Sequence, residues 1–339
     1  MPVTLSPRFP RALPPLVCCA FLQCGLPTPS GVPAPSPASQ AAQAPTTLVV
    51  LPEDGAGGIL AAIAGAHTRV WGEMYMLTSF DAMDALAAAR GNGADVRLLL
   101  EPAPYGDATA NQTAFDSLTA AGVDARWFAV PDGLVHAKFL VIDAAAWILT
   151  LNLTLSGLTR NREYAVVDRG AADVGRLADV WQGDAIGAAP GVASPATRVV
   201  VAPLDARARV TAALDAAHTS VAIEVEELSD ADFVTRLIGA RDRGVELSIV
   251  VPARDRSAAT NAAVARLSDA GVAVRALVTP TLHAKAMVVD HRTTYLGSIN
   301  FTRASFDDNR EVGVIETDPA TASRVGAVLA GDWTRGVAP

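Results

Sequence analysis

From residue 46 onward the chain writes one unit twice. AHTRVWGEMYML (66–77) is answered by AHTSVAIEVEEL (217–228), VRLLLEP (96–102) by VELSIVVPA (245–253), and VHAKFLVID (135–143) by LHAKAMVVD (282–290). The offset between partners stays between 147 and 152 residues throughout. Such a period is too long for a solenoid and fits a duplicated domain. Within a copy, β-branched strands alternate with helical segments, and Gly122 and Gly271 stop the matched helices before 123–128 and 272–278. The expected fold class is α/β: two duplicated lobes, each a mixed β-sheet flanked by helices, related by pseudo-two-fold symmetry. That symmetry sets like surfaces against each other and brings equivalent residues face to face. The first lobe is expected over 47–190 and the second over 191–339.

The first 46 residues read differently. Arg8 and Arg11 precede a short apolar run, 12–22, interrupted by Pro14 and Pro15. It falls short of the ~20 residues of a membrane span and has the layout of an export signal over 1–26, followed by a Pro/Ala-rich linker over 27–46. The expected location is therefore exported, periplasmic or extracellular, in association with a membrane, with no transmembrane segment in the mature chain. Cys18, Cys19 and Cys24 are the only cysteines. The repeated body thus has no disulfide, no thiolate nucleophile and no Cys-ligated metal.

Charge narrows the partners. The balance of 27 basic against 35 acidic residues gives a net charge of −8, which offers no long-range attraction for a polyanion and disfavours nucleic acid. Beneath the total lies a sharper count: 25 of the basic residues are arginine and two are lysine, Lys138 and Lys285. Both stand in His-Ala-Lys.

Copy one reads His136-x-Lys138-x4-Asp143, then Thr150 and Asn152, then Glu163. Copy two reads His283-x-Lys285-x4-Asp290, then Ser298 and Asn300, then Glu311. His-x-Lys on a strand puts both side chains on one face, and the returning strand presents a hydroxyl and an amide. An ammonium and an amide hold phosphate oxygens, which makes Thr150, Asn152, Ser298 and Asn300 the candidate phosphate-binding groups. An imidazole attacks phosphorus or protonates a leaving alkoxide near neutral pH. Glu163 and Glu311 suit the far ring nitrogens, fixing the tautomer. Asp143 and Asp290 fall at the opposite strand parity and join the catalytic set as partners that position its Lys–His end. Glu73 and Glu224 are matched strand candidates for the cleft, whereas Glu226 and Glu227 read as rim or surface. No His, Cys and carboxylate cluster has metal-ligand spacing, so neither metal nor cofactor is expected.

The repeated HxKx4D…GSxN…NxE pattern resembles the phospholipase D superfamily, the HKD hydrolases, over about 50–335. The segments 149–154, 161–167 and 296–315 are similar to the bacterial phospholipase D/cardiolipin synthase-like branch. That resemblance implies two lobes meeting at one active site and a metal-independent route through phosphohistidine. It further implies that His136 attacks and His283 acts as general acid, with Trp181 and Asp332-Trp333 closing the copies. One departure stands out: Leu149-Thr150 replaces Gly297-Ser298, so the backbone of the first half-site is expected to approach phosphate differently.

The leading expectation is a monomeric phospholipase D-type phosphodiesterase. It would hydrolyse a phosphatidylcholine-like head group to phosphatidate at a membrane or micelle surface, with transphosphatidylation through the same intermediate. The alternatives are a cardiolipin-synthase-like phosphatidyl transferase, a metal-independent nuclease and a catalytically dead binding protein. Because the lysines and amides supply the charge a divalent ion would bring, full activity is expected in excess EDTA. An activity lost on chelation and restored by a divalent ion would contradict this route.

Overall fold

A computed structural model describes residues 45–339 apart from 131–132, 189–190, 192 and 195. The expected export signal, its cysteines and nearly all of the linker lie outside the described residues. In the first lobe the strands are β1 (Thr47–Leu51), β2 (Arg69–Met74), β3 (Asp95–Leu100), β4 (Asp124–Trp127), β5 (Lys138–Ile142), β6 (Ala145–Leu149) and β7 (Asn161–Asp168). Its helices are α1 (Gly57–Ala64), α2 (Phe80–Gly91), α3 (Gln112–Ala120), α4 (Leu155–Thr159) and α5 (Ala171–Ala185). The second lobe has β8 (Val199–Ala202), β9 (Ser220–Val225), β10 (Glu246–Pro252), β11 (Ala273–Leu277), β12 (Thr281–Leu282), β13 (Lys285–Val289), β14 (Thr293–Gly297) and β15 (Glu311–Glu316). Its helices are α6 (Ala206–Asp215), α7 (Ala231–Asp242), α8 (Ala258–Asp269), α9 (Arg303–Asp307) and α10 (Pro319–Arg335). Among the described residues no helix is long and apolar enough to cross a membrane.

The sheets run β1-β7-β6-β5-β2-β3-β4 and β11-β10-β9-β13-β14-β15-β8, so the second repeats the first. β2, β3 and β4 pair in parallel through helical crossovers, while β5, β6 and β7 form an antiparallel meander. The strands are apolar because both faces are covered. Outer cores pack under α1 to α3 and under α6 to α8, around Ile59, Leu86 and Leu118 and around Leu214, Leu237 and Leu267. A third core joins the lobes, with Phe139, Ile148 and Trp181 of the first among Leu282, Val288 and Leu329 of the second.

Two exchanged ion pairs lie at this junction. Arg162 on β7 donates through Nε to Asp332 on α10 at 2.6 Å, and Arg310, preceding β15, meets Asp184 on α5 at 2.7 Å. Arg162 and Arg310 donate Nη1 to the carbonyls of Leu51 and Ala202, giving each guanidinium a second anchor. Asp184 and Asp332, rather than Trp181 and Trp333, are therefore the matched residues that close the copies. Trp181 packs at 5.2 Å from Trp71, whereas Trp333 lies under Arg275.

Glu73 and Glu224 do not face the cleft. Glu224 accepts the Tyr164 hydroxyl at 2.8 Å, and burial pushes its pKa up to about 7. Glu73 is fully buried beside Asp184; burial and that charge raise its pKa well above the carboxylate range. The departure at Leu149 also has a packing cause. Leu149 faces Ala165 across β6–β7, whereas Gly297 faces Gly313. A Cβ on Gly297 would meet the Cα of Gly313 at 2.4 Å. The glycine therefore admits the neighbouring strand, not a phosphate, as sequence reasoning had it.

Breaking one partner of a buried pair strands the other charge. Arg310→Met should lower the unfolding free energy by ~3–5 kcal/mol. Asp184→Leu added to it should regain much of that loss in urea unfolding.

Candidate active site

Backbone pairing between the lobes sets the site. Val135, one residue before His136, bridges Arg310, one residue before Glu311. Leu282, one before His283, pairs with Arg162, one before Glu163. His136 N donates to Arg310 O at 2.9 Å, and Arg310 N donates to Leu134 O at 2.9 Å. Each histidine is thereby held opposite the glutamate of the other copy.

The side chains follow. His136 Nδ1 lies 2.9 Å from Glu311 Oε1, and His283 Nδ1 lies 2.7 Å from Glu163 Oε1. Nδ1–H donation to a carboxylate leaves Nε2 of each ring to act on substrate. Burial lowers the His136 pKa, and the Glu311 charge opposes that fall. Burial would raise Glu311, but the His136 charge and hydrogen bond, with Lys138 beyond, hold it below the carboxylate range.

Both lysines are fully buried. Lys138 Nζ donates to His136 O at 2.7 Å and lies 5.0 Å from the Tyr75 ring centre. Burial brings its pKa down to about 7, despite the Glu311 carboxylate. Lys285 Nζ donates to His283 O at 2.5 Å and to Glu226 Oε2 at 2.6 Å. Lys285 acts on the charge of both His136 and Lys138, so the two half-sites share one electrostatic environment.

The hydroxyls do something other than face a phosphate. Thr150 and Ser298 are 1% and 0% exposed. Thr150 Oγ1 donates to Glu163 Oε2 at 2.6 Å and accepts from Tyr164 N at 2.8 Å. Ser298 Oγ donates to Val312 O at 3.1 Å and accepts from Val312 N at 3.0 Å. Each sits beside the glutamate of its own copy, which in turn aims the other copy's histidine. Asn152 lines the cleft, whereas Asn300 accepts from Glu227 N at 3.0 Å and turns its amide to Glu226 at 3.3 Å.

Asp143 and Asp290 lie at the far strand ends, ~16 Å along a five-residue strand from the lysines, and do not position the Lys–His end. Asp143 accepts from the backbone of His67, Thr68 and Arg69 and from the Thr68 hydroxyl. Burial opposes this charge, yet those bonds bring its pKa to about 2. Asp290 does the same for His218, Thr219 and Ser220. The carboxylates tie the turn before β2 or β9 to the end of β5 or β13.

Sequence reasoning missed Tyr75 and Glu226. They occupy equivalent positions, each one residue past β2 or β9, which the repeat offset alone reveals. Hollows of about 390 and 370 Å³ open beside His283. Asn161 lines both; Asn152 and Leu155 belong to the first, Glu226 and Arg254 to the second.

Duplicated sheets that share one pair of His–Lys half-sites define a two-lobed protein of phospholipase D type. A family model described as "Cardiolipin synthase, PLD-like domain" matches residues 59–183 and again 210–333. The chain belongs to that family, within the phospholipase D superfamily. It is 34% identical over 103 residues to the minor cardiolipin synthase ClsB of Bacillus subtilis (strain 168). The match covers 29% of this chain and 26% of that protein, about a quarter of its length. Phosphatidylserine synthase of Haemophilus influenzae Rd KW20 is similar with a TM-score of 0.64 at 14% identity, covering 86% of each chain. Polyphosphate kinase of Porphyromonas gingivalis gives 0.62 at 18% identity, over 84% of this chain and 50% of that one. At such identities the likeness is one of fold.

The crossed pairing predicts how the lobes answer substitution. Since Glu311 raises the His136 pKa, Glu311→Gln should shift the His136 NMR titration to lower pH. Turnover should fall by ~100-fold or more as the tautomer is lost. A titration unmoved by this change would dissociate the pair.

Proposed function

We propose that the chain transfers a phosphatidyl group from a phospholipid to an alcohol, in the manner of a cardiolipin synthase. The observation that carries this is the crossed arrangement: two histidines, each fixed through Nδ1 by the opposite lobe, beside two buried lysines. His136 Nε2 attacks phosphorus, the bond to the head-group oxygen breaks, and His283 gives that oxygen its proton. His283 then takes the proton of an incoming hydroxyl, whose oxygen attacks phosphorus and releases His136. Lys138, Lys285 and the amides of Asn152 and Asn300 hold the non-bridging oxygens and stabilise the charge that builds on them.

Hydrolysis differs only in that water enters the second step. The sequence alone put hydrolysis first; the double match to the cardiolipin synthase family and the similarity to a cardiolipin synthase favour transfer instead. Leu155 supports a lipid substrate, because it is 57% exposed on the wall of the hollow that also contains His283.

Purified protein given phosphatidylglycerol vesicles should form cardiolipin and free glycerol, with phosphatidate as a minor product. Added primary alcohol should divert product to the corresponding phosphatidyl alcohol. His136→Ala and His283→Ala should each reduce lipid turnover by ~1000-fold or more. Phosphatidate as the sole product at high alcohol would return the assignment to hydrolysis.

A further inference from the structure

The two half-sites are unequal at one matched position. In copy one Tyr75 packs edge-on against His136, with ring centres 4.6 Å apart. In copy two Glu226 stands there and reaches inward. Its Oε2 lies 2.6 Å from Lys285 Nζ, 3.3 Å from Asn300 Nδ2 and 3.5 Å from His283 Nε2. Lys285 and Asn300 are the donors that the phosphodiester reading gives to a non-bridging phosphate oxygen, and His283 is the acid it sets beside them. Burial opposes the Glu226 charge, but His283 and Lys285 overcome it and hold the pKa far below the carboxylate range. Glu226 stands as a carboxylate against Lys285 and His283.

We propose that Glu226 is a specificity-determining residue: its carboxylate occupies one phosphate-oxygen position and selects monoanionic phosphodiesters over dianionic phosphomonoesters. This rests on the phosphodiester reading of the site. A fixed negative charge repels a ligand in proportion to the ligand's own charge, so a dianion suffers twice the penalty of a monoanion. To bind, either ligand takes Lys285 and Asn300 from Glu226. The Glu226 side chain is a third exposed and borders the hollow lined by Arg254, so the carboxylate stays nearby after displacement. Phosphatidate and inorganic phosphate are monoester or free dianions, and Glu226 keeps them from accumulating in the site. A diester whose second alcohol is neutral meets only half of that repulsion.

The test measures binding and turnover separately, on wild type, Glu226→Gln and Glu226→Tyr, the last reproducing copy one. Calorimetry with inorganic phosphate near pH 8, where the dianion dominates, should show binding tightened by ~10-fold or more in both variants. The KM for phosphatidylglycerol should fall by several-fold less than the phosphate affinity rises, because displacing Glu226 costs both ligands alike and only the remaining repulsion scales with ligand charge, with kcat not reduced more than a few-fold. Unchanged phosphate affinity in both variants would overturn the proposal. A ~100-fold loss of kcat with unchanged phosphate affinity would do so too, placing Glu226 in the chemistry instead. Phosphate binding that tightens as described in a protein without lipid turnover would uphold the selector and refute the lipid assignment alone.

Discussion

Everything at the centre of this molecule depends on short backbone pairings between the lobes. The residue before each catalytic-strand histidine pairs with the residue before the other copy's glutamate. A backbone hydrogen bond fixes register, and in a strand a one-residue slip turns a side chain to the opposite face. The histidine tautomers, the tilt of the lysines and the closeness of the half-sites all rest on that register. The crossed Arg162–Asp332 and Arg310–Asp184 pairs guard it, because both arginines sit within the paired segments and both aspartates on the helices that close the lobes. A slip would pull a buried guanidinium off its buried aspartate.

Chemistry and packing divide the motif unequally. His and Lys share one face at the site end of the strand, while the aspartate five residues beyond Lys belongs to the other end and to the turn it secures. A single sequence pattern thus serves two tasks, one at each end of β5 or β13. The hydroxyl after the returning strand acts at one remove: it supports the backbone and glutamate of its own copy, and the glutamate supports the histidine of the other.

Much of this was legible in the sequence. The matched offsets gave two copies, the alternation of strands and helices gave the α/β class, and the twofold His-x-Lys isolated the two lysines as the pair to watch. What stayed hidden needed the third dimension. Which glutamate faces which histidine depends on how the copies dock, and no intra-copy spacing encodes that. The Thr150 and Ser298 hydroxyls turned to the adjacent strands β7 and β15, and Gly297 answered to Gly313 across the sheet instead of to a ligand. Glu226 was hidden by its position just past β9, where an acidic residue ordinarily reads as a solvated rim.

The crossing of the His–Glu pairs has a consequence for inheritance. Neither copy holds a complete acid–base unit, since each imidazole takes its orientation from a residue in the other repeat, 175 positions away for His136 and 120 for His283. Duplicated genes are usually free to diverge, one copy drifting while the other preserves the trait. Here that freedom is withdrawn at the core, where a change in either repeat is judged at once by the performance of the other. Divergence is left to positions outside the exchange, and the tyrosine and glutamate at 75 and 226 mark one place where the repeats have become different from each other.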